Sequence, residues 1–252
     1  MDTKANRPGQ VGVVIPSYKE ADNIKPLVLD VRKWVPDSRI IVVDDSPDLL
    51  TVNAVNDLKI PGVNAIHRDR KDGRGSAVFL GMKLLLDDGC EQIVEMDSDF
   101  SHPPSQLPSL LAHARTEQLG MLIGSRYLPD SQIKNWPLAR RIFSKCSNLL
   151  ARTVLQVPIV DYTNGYRVYS RAAAECVVET CNKLGKGFIP LSEVLVNLYY
   201  RSYTIAEVPT IFTNRLRGES SVTSTEIKNA LVGLFRIYLL KQMLKKQRKN
   251  HD

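Results

Sequence analysis

The chain has 252 residues, 43% of them hydrophobic and 24% charged with both signs interspersed, which suits one large α/β domain, or a domain plus a small appendage, and excludes a disordered or low-complexity chain. The formal net charge is +7, and its asymmetry lies near the end, where Arg236 is followed by Lys241, Lys245, Lys246, Arg248 and Lys249. Cys90, Cys146, Cys176 and Cys181 form no C-x-x-C pair, which argues against structural zinc, and no apolar run approaches the roughly 18 residues of a bilayer span.

Residues 11–16 form a short β-branched run closed by Pro and Ser, which predicts a buried parallel strand. Behind Asp22, the expected N-cap, Ile24, Leu27, Val28, Val31, Trp34 and Val35 recur on one helical face. Residues 39–43 predict a second strand ending at Asp44 and Asp45, and strand, helix, strand in this order implies a right-handed parallel crossover. A polar stretch then leads to a strand near 64–67, a Gly-rich turn at 72–75 and a helix over 76–88. The next strand, 92–96, runs into Asp97-Ser98-Asp99. Its carboxylates therefore fall, like Asp44 and Asp45, on the C-terminal strand edge where open α/β sheets place ligands.

Further along, the pattern predicts a strand at 121–124, a long helix over 138–155 and a short strand at 165–170. Helices over 171–183 and 191–200 follow, then a strand at 204–209. The closing segment, 226–247, is helix-like, with Ile227, Leu231, Leu234, Phe235, Tyr238, Leu239 and Met243 on a broad apolar face. There is no internal repeat and no long linker.

Two carboxylates spaced as Asp97-x-Asp99 suit a hard divalent cation whose remaining ligands come from a diphosphate. Alone, such a pair also arises from turn hydrogen bonding. Its context adds weight, because Asp44, Asp45, Asp97, Asp99 and Arg126 converge on one sheet edge. Two acidic clusters there repel unless a cation with a phosphate-bearing ligand, or several buried ion pairs, relieves them. Arg140 and Ser144, four apart on a predicted helix, can equally cap it or pair with neighbours. Residues 161–167 read as a turn into a strand, with Gly165 giving backbone freedom.

The segments Val14-Ile15-Pro16-Ser17-Tyr18-Lys19-Glu20, Val42-Val43-Asp44-Asp45-Ser46-Pro47-Asp48 and Met96-Asp97-Ser98-Asp99-Phe100-Ser101-His102-Pro103-Pro104 resemble family 2 glycosyltransferases. The subgroup they most resemble is the dolichol-phosphate (polyprenol-phosphate) mannose synthases. Gly124-Ser125-Arg126-Tyr127 and the segments 140–152, 161–167 and 217–220 match in the same order. The resemblance implies a GT-A type α/β fold, a mostly parallel central sheet flanked by helices, over residues 10–222. A tail, 1–9, precedes it and an amphipathic basic helix, 223–252, follows. It further implies nucleotide binding by Pro16, Tyr18, Glu20, Asp44, Asp45 and Asp97, and Mg2+ or Mn2+ at Asp97, Asp99 and Ser101. Asp97, Asp99 and Arg126 form the implied catalytic set. Arg126, Arg140 and Ser144 would contact donor and acceptor phosphates, with Arg217 closing over the diphosphate. Ser221 stands where the family usually has lysine, and Ser101 where microbial members carry glutamine. Both departures leave the donor open between GDP-mannose and a UDP-sugar.

The expected reaction is an inverting transfer, of mannose from GDP-mannose in the first reading, to a polyprenyl or dolichyl phosphate. An acceptor phosphate is already anionic near neutral pH, so positioning and stabilisation of the leaving charge are the main tasks. The alternative is a family 2 transferase using a UDP-sugar or a sugar hydroxyl in polysaccharide or glycolipid synthesis; a hydroxyl acceptor needs a catalytic base, and the segment 140–144 argues against it. A non-catalytic basic module leaves the ordered motifs unexplained, and no nucleic-acid partner is expected. The closing helix reads either as an interfacial anchor or as a packing element against the domain or a partner. Without an apolar leader in its first residues, the chain is expected to be cytoplasmic and peripherally membrane-associated, with room for a small membrane partner subunit.

Overall fold

The uninterrupted apolar runs become strands buried on both faces, and their order along the chain sets the architecture. The computed structural model describes residues 9–181, 184, 189–214 and 224–249. Its strands are β1 (Val11–Ser17), β2 (Arg39–Asp44), β3 (Val63–His67), β4 (Gln92–Glu95), β5 (Met121–Ser125), β6 (Gln132–Lys134), β7 (Arg167–Ser170), β8 (Ile205–Pro209) and β9 (Ile211–Thr213). Seven of them form one sheet in the order β3-β2-β1-β4-β7-β5-β8, and β6 pairs with β9 beside it. All pairings in the large sheet are parallel except those of β7, which runs antiparallel to β4 and β5.

The helices are α1 (Ala21–Trp34), α2 (Leu50–Asn56), α3 (Arg74–Asp87), α4 (Leu107–Thr116), α5 (Leu138–Leu155), α6 (Arg171–Thr180), α7 (Ile189–Tyr200) and α8 (Ser224–Lys249), with a 3-10 turn at Pro104–Gln106. Because strand side chains alternate, Val14 and Val43 join one core with Met82, Leu85, Tyr169 and Leu195. Val13 and Ile15 join the other with Ile24, Leu27, Val31, Leu110 and Leu122. Each fully buried aliphatic side chain contributes about 1.5–3 kcal/mol of transfer free energy. Gly81 lets α3 lie against β1, since a Cβ there would overlap the Val14 side chain.

Several elements depart from the expectations. Helix α1 starts at Ala21 with Glu20 as its N-cap, so Asp22 sits in the first turn, where it favours the positive helix end. The polar stretch after β2 holds α2, which buries Thr51, Val52 and Val55. Residues 104–116 form a turn and a helix that buries Leu107, Leu110, Leu111 and Ala114 at helical spacing. Helix α6 ends at Thr180, and β7 begins at Arg167, two residues after Gly165. Helix α8 packs through Gly233, Ile237 and Leu244 and turns Leu231, Phe235, Leu239 and Met243 outward, so it is both a packing element and an exposed apolar stripe. Among the described residues no helix is long and apolar enough to cross a membrane.

Candidate active site

The C-terminal ends of β1, β2, β4 and β5 open into a cavity of about 820 Å3, closed on one side by α5 and by the β6–β9 pair. That volume suits a ligand of nucleotide-sugar size. From the β1 end come Pro16, Ser17, Tyr18 and Glu20. Lys19 between them has φ 59°, and its N–H donates to Ser46 Oγ at 2.7 Å, tying this loop to the one after β2. Lys71 Nζ lies 3.4 Å from the centroid of the Tyr18 ring at the cavity wall.

The two aspartates after β2 part company, as successive residues on a strand do. Asp44 is fully buried and accepts from the Ser46 hydroxyl at 2.8 Å and the Ser46 N–H at 3.3 Å. It shapes the loop behind the cavity wall, which Asp45 lines. Both Asp45 carboxylate oxygens are held by Arg68, at 2.6 and 2.7 Å.

Beyond β4, Asp97 and Asp99 both line the cavity. The Asp97 side chain is 33% exposed, and Arg74 meets its Oδ1 through Nε and Nη2, each at 2.8 Å. Arg74 also pairs with buried Glu95 and donates to the Gly165 carbonyl at 3.4 Å. Burial works against ionisation of Asp97, but Arg74 outweighs it and holds the carboxyl below its ordinary range. Phe100, at φ 58°, turns the loop so that Asp99 Oδ1 accepts from the Ser101 N–H at 3.0 Å and its hydroxyl at 2.5 Å. Ser101, expected at the cation, lines the cavity and orients Asp99 through its hydroxyl proton.

His102 lies beneath this loop, 1% exposed and stacked on Tyr166 with ring centroids 4.6 Å apart. Its Nε2 is 2.9 Å from Asn164 Oδ1, so Nε2 carries the proton and donates. Burial pushes its pKa down to about 4 against the opposing pull of Asp97, leaving the ring neutral near pH 7.

At the end of β5, buried Arg126 is bound by Asp161 through its backbone N–H and its guanidinium, and donates to Thr163 Oγ1 at 2.7 Å. Trp136 and Phe212 each lie 5.3 Å from that guanidinium. Burial disfavours the charge on both partners, yet their attraction raises the Arg126 pKa and lowers that of Asp161. Arg140 and Ser144 on α5 line the same cavity, and Ser144 Oγ accepts from the Tyr127 hydroxyl at 2.7 Å. Arg217 and Ser221 lie outside the described residues.

The expected repulsion between acidic clusters is relieved by Arg68 at Asp45 and by Arg74 at Asp97, Arg74 also pairing with Glu95, while a third arginine, Arg126, pairs with Asp161. Arg74, Trp136 and Phe212 line the cavity, and Arg68 braces Asp45 behind it, without having been singled out from the sequence. Arg74 was visible only as part of a Gly-rich turn, and the three-residue strands β6 and β9 are too short to show a period.

As a cation site, Asp97 and Asp99 supply hard oxygen donors on a cavity wall, which fits Mg2+ or Mn2+. Among the described residues no cluster of three or more His, Cys, Asp or Glu is arranged to hold a metal. Asp97 and Asp99 would supply part of a divalent cation's shell, the remaining oxygens coming from a bound ligand.

The sequence profile described as Glycosyl transferase family 2 matches residues 12–178. Undecaprenyl-phosphate mannosyltransferase of Micrococcus luteus is 36% identical over 238 residues, covering 90% of this chain and 93% of its own length. Polyprenol monophosphomannose synthase of Mycolicibacterium smegmatis is 34% identical over 222 residues, covering 87% of this chain and 83% of its own. Among solved structures, glucosyl-3-phosphoglycerate synthase from Mycobacterium tuberculosis, in complex with Mn2+, UDP-glucose and phosphoglyceric acid, superposes with a TM-score of 0.67 at 18% identity. It covers 92% of this chain and 80% of that one, a likeness of fold.

Proposed function

Since the chain belongs to glycosyl transferase family 2, as a glycosyltransferase of the polyprenol-phosphate mannose synthase subgroup with the GT-A fold, we propose that it transfers mannose from GDP-mannose to a polyprenyl phosphate, inverting the anomeric carbon. The observation that carries this reading is the joint lining of one cavity by Asp97 and Asp99 and by Arg126, Arg140 and Ser144. A diphosphate end and an acceptor-phosphate end then share one cavity. The names of the two relatives, both acting on polyprenyl phosphates, support the acceptor.

In this reaction an acceptor phosphate oxygen forms a bond to the anomeric carbon while the bond to the diphosphate oxygen breaks, and its electron pair leaves with the nucleotide. Arg126, held rigid by Asp161 and Thr163, and Arg140 at the start of α5 orient the two phosphate groups. Tyr18 and Lys71 form a platform for the nucleoside, and Asp45 is fixed by Arg68 to accept from it. Asp97 and Asp99 would hold a divalent cation, which would supply charge stabilisation for the departing diphosphate. The acceptor phosphate is already anionic near neutral pH, so it needs no general base.

The acceptor's chain demands a lipid surface. The outward stripe Leu231, Phe235, Leu239 and Met243 on α8, with Leu138, Ile142 and Leu149 exposed on α5, supports peripheral docking on a membrane. Basic residues toward the end of α8 add about 1 kcal/mol each near anionic lipid. The same stripe fits the apolar surface of a small membrane subunit.

The test is transfer of labelled sugar to a polyprenyl phosphate in detergent, with GDP-mannose, UDP-glucose and UDP-N-acetylglucosamine in parallel, with and without Mn2+. Metal-dependent mannosyl lipid from GDP-mannose is expected. Product from a UDP-sugar alone overturns the donor, and no lipid product from any donor overturns the function.

A further inference from the structure

We infer that Arg74 is a tethered competitor for the Asp97–Asp99 site, a cation built into the chain that keeps the site's affinity for a divalent ion low until a nucleoside diphosphate is present. The inference rests on the assignment of that pair as the cation site.

Three features converge on it. Arg74 opens α3 directly after Gly73, whose φ of 95° turns the chain so that the helix begins at the cavity wall. From there Nε and Nη2 both reach Asp97 Oδ1 at 2.8 Å, the carboxylate that a cation would need. Second, the guanidinium is anchored from behind. Glu95 is 2% exposed, pairs with Arg74 and accepts from the Tyr169 hydroxyl at 2.7 Å, so it holds the arginine in place without facing ligand. Third, the chain makes room for this pose, because a Cβ on Gly165 would overlap the Arg74 guanidinium.

The other arginine pairs differ. Arg126 and Asp161 are both buried, and the Asp45 side chain that Arg68 holds is 6% exposed, whereas Asp97 is 33% exposed on the cavity. Its pairing with Arg74 is therefore the one of the three arranged for exchange. A unit positive charge bonded to one of two carboxylate ligands weakens binding of a second cation by about tenfold or more. A diphosphate adds negative charge and further oxygen ligands, which tips the competition toward the metal. Metal uptake thereby becomes dependent on nucleotide.

The experiment measures Mn2+ dissociation constants by electron paramagnetic resonance, without nucleotide and with GDP. Arg74→Met is read against the wild type. Because that change leaves Glu95 buried without its cation, Arg74→Met/Glu95→Gln is also read against Glu95→Gln, and thermal melts confirm folding of each protein. Removing Arg74 is expected to tighten nucleotide-free Mn2+ binding by about tenfold or more in both comparisons, with a smaller gain when GDP is present. Equal or weaker Mn2+ binding without Arg74, in proteins that still take up Mn2+, overturns the competitor role alone. No Mn2+ uptake by any of them, with or without GDP, overturns the cation site and the inference together.

Discussion

Arg126 and Asp161 meet three times: the Arg126 N–H and Nε reach Asp161 Oδ2 at 3.0 and 2.8 Å, and Nη2 reaches Oδ1 at 2.7 Å. With Asp161 fully buried and Arg126 nearly so, this pair fixes the loop after β5 at the cavity wall. Asp161→Asn leaves a buried guanidinium without its counter-charge. It is expected to lower stability by about 3 kcal/mol, a fall of roughly 6–12 °C in melting temperature. Since the folded pKa of Asp161 is depressed, its contribution is complete above the ordinary carboxylate range and is lost as pH falls below about 4. Calorimetry across that range reads both effects.

His102 acts in a different window. Its folded pKa, about 4, lies below its ordinary 6.5, so the unfolded chain takes up a proton that the fold refuses. Stability attributable to this residue is complete above pH 6.5 and declines toward pH 4, by about 3 kcal/mol in all. In His102→Gln the denaturant midpoint is expected to be flatter than wild type between those limits; identical slopes contradict the assignment.

Asp99 faces the cavity and accepts from the Ser101 N–H and hydroxyl in a short turn. Asp99→Ala is expected to reduce transfer by about a hundredfold to a thousandfold, while the melting temperature drops by a few degrees at most. Retained Mn2+-dependent transfer in the folded variant removes Asp99 from the site.

The outward stripe of α8 is separable from its packing face. Phe235→Asp/Leu239→Asp leaves Gly233, Ile237 and Leu244 in place, so the fold is expected to survive. Co-sedimentation with anionic vesicles should fall by about tenfold or more, given about 1.5–3 kcal/mol for each large apolar side chain withdrawn from lipid. Unchanged sedimentation assigns the stripe elsewhere.

What the sequence discloses here follows period and punctuation. Val11 to Ser17 and Gln92 to Glu95 are short apolar runs ending in Pro-Ser or Asp-x-Asp, so both the strands and the edge at which Asp97 and Asp99 emerge are legible. Helix α5 keeps its expected bounds, with Pro137 before it as a legible start and a left-handed Gln156, at φ 57°, closing it in the structure. The direction of β7 is not, since alternation looks the same in a parallel and an antiparallel strand. Helix α4 carries its apolar residues at helical spacing, but Pro103, Pro104 and Pro108 break up its beginning. Asp44 and Asp45 look equivalent as letters and differ only in the face each takes. Arg74 is the hardest case. Its partners Glu95, Asp97 and Gly165 are joined to it by the crossover from α3 to β4 and by the antiparallel return of β7, long-range contacts that no local pattern announces.

The chemistry proposed for this cavity joins a sugar to a phosphate oxygen without a catalytic base. The most direct measurement supplies labelled GDP-mannose and Mn2+ with two matched acceptors, a polyprenyl phosphate and the corresponding free polyprenol. The account predicts mannosyl lipid from the phosphate alone, with a rate that follows the acceptor's own ionisation as pH is lowered. Product from the free alcohol, or from a sugar hydroxyl while the polyprenyl phosphate stays inert, would contradict it.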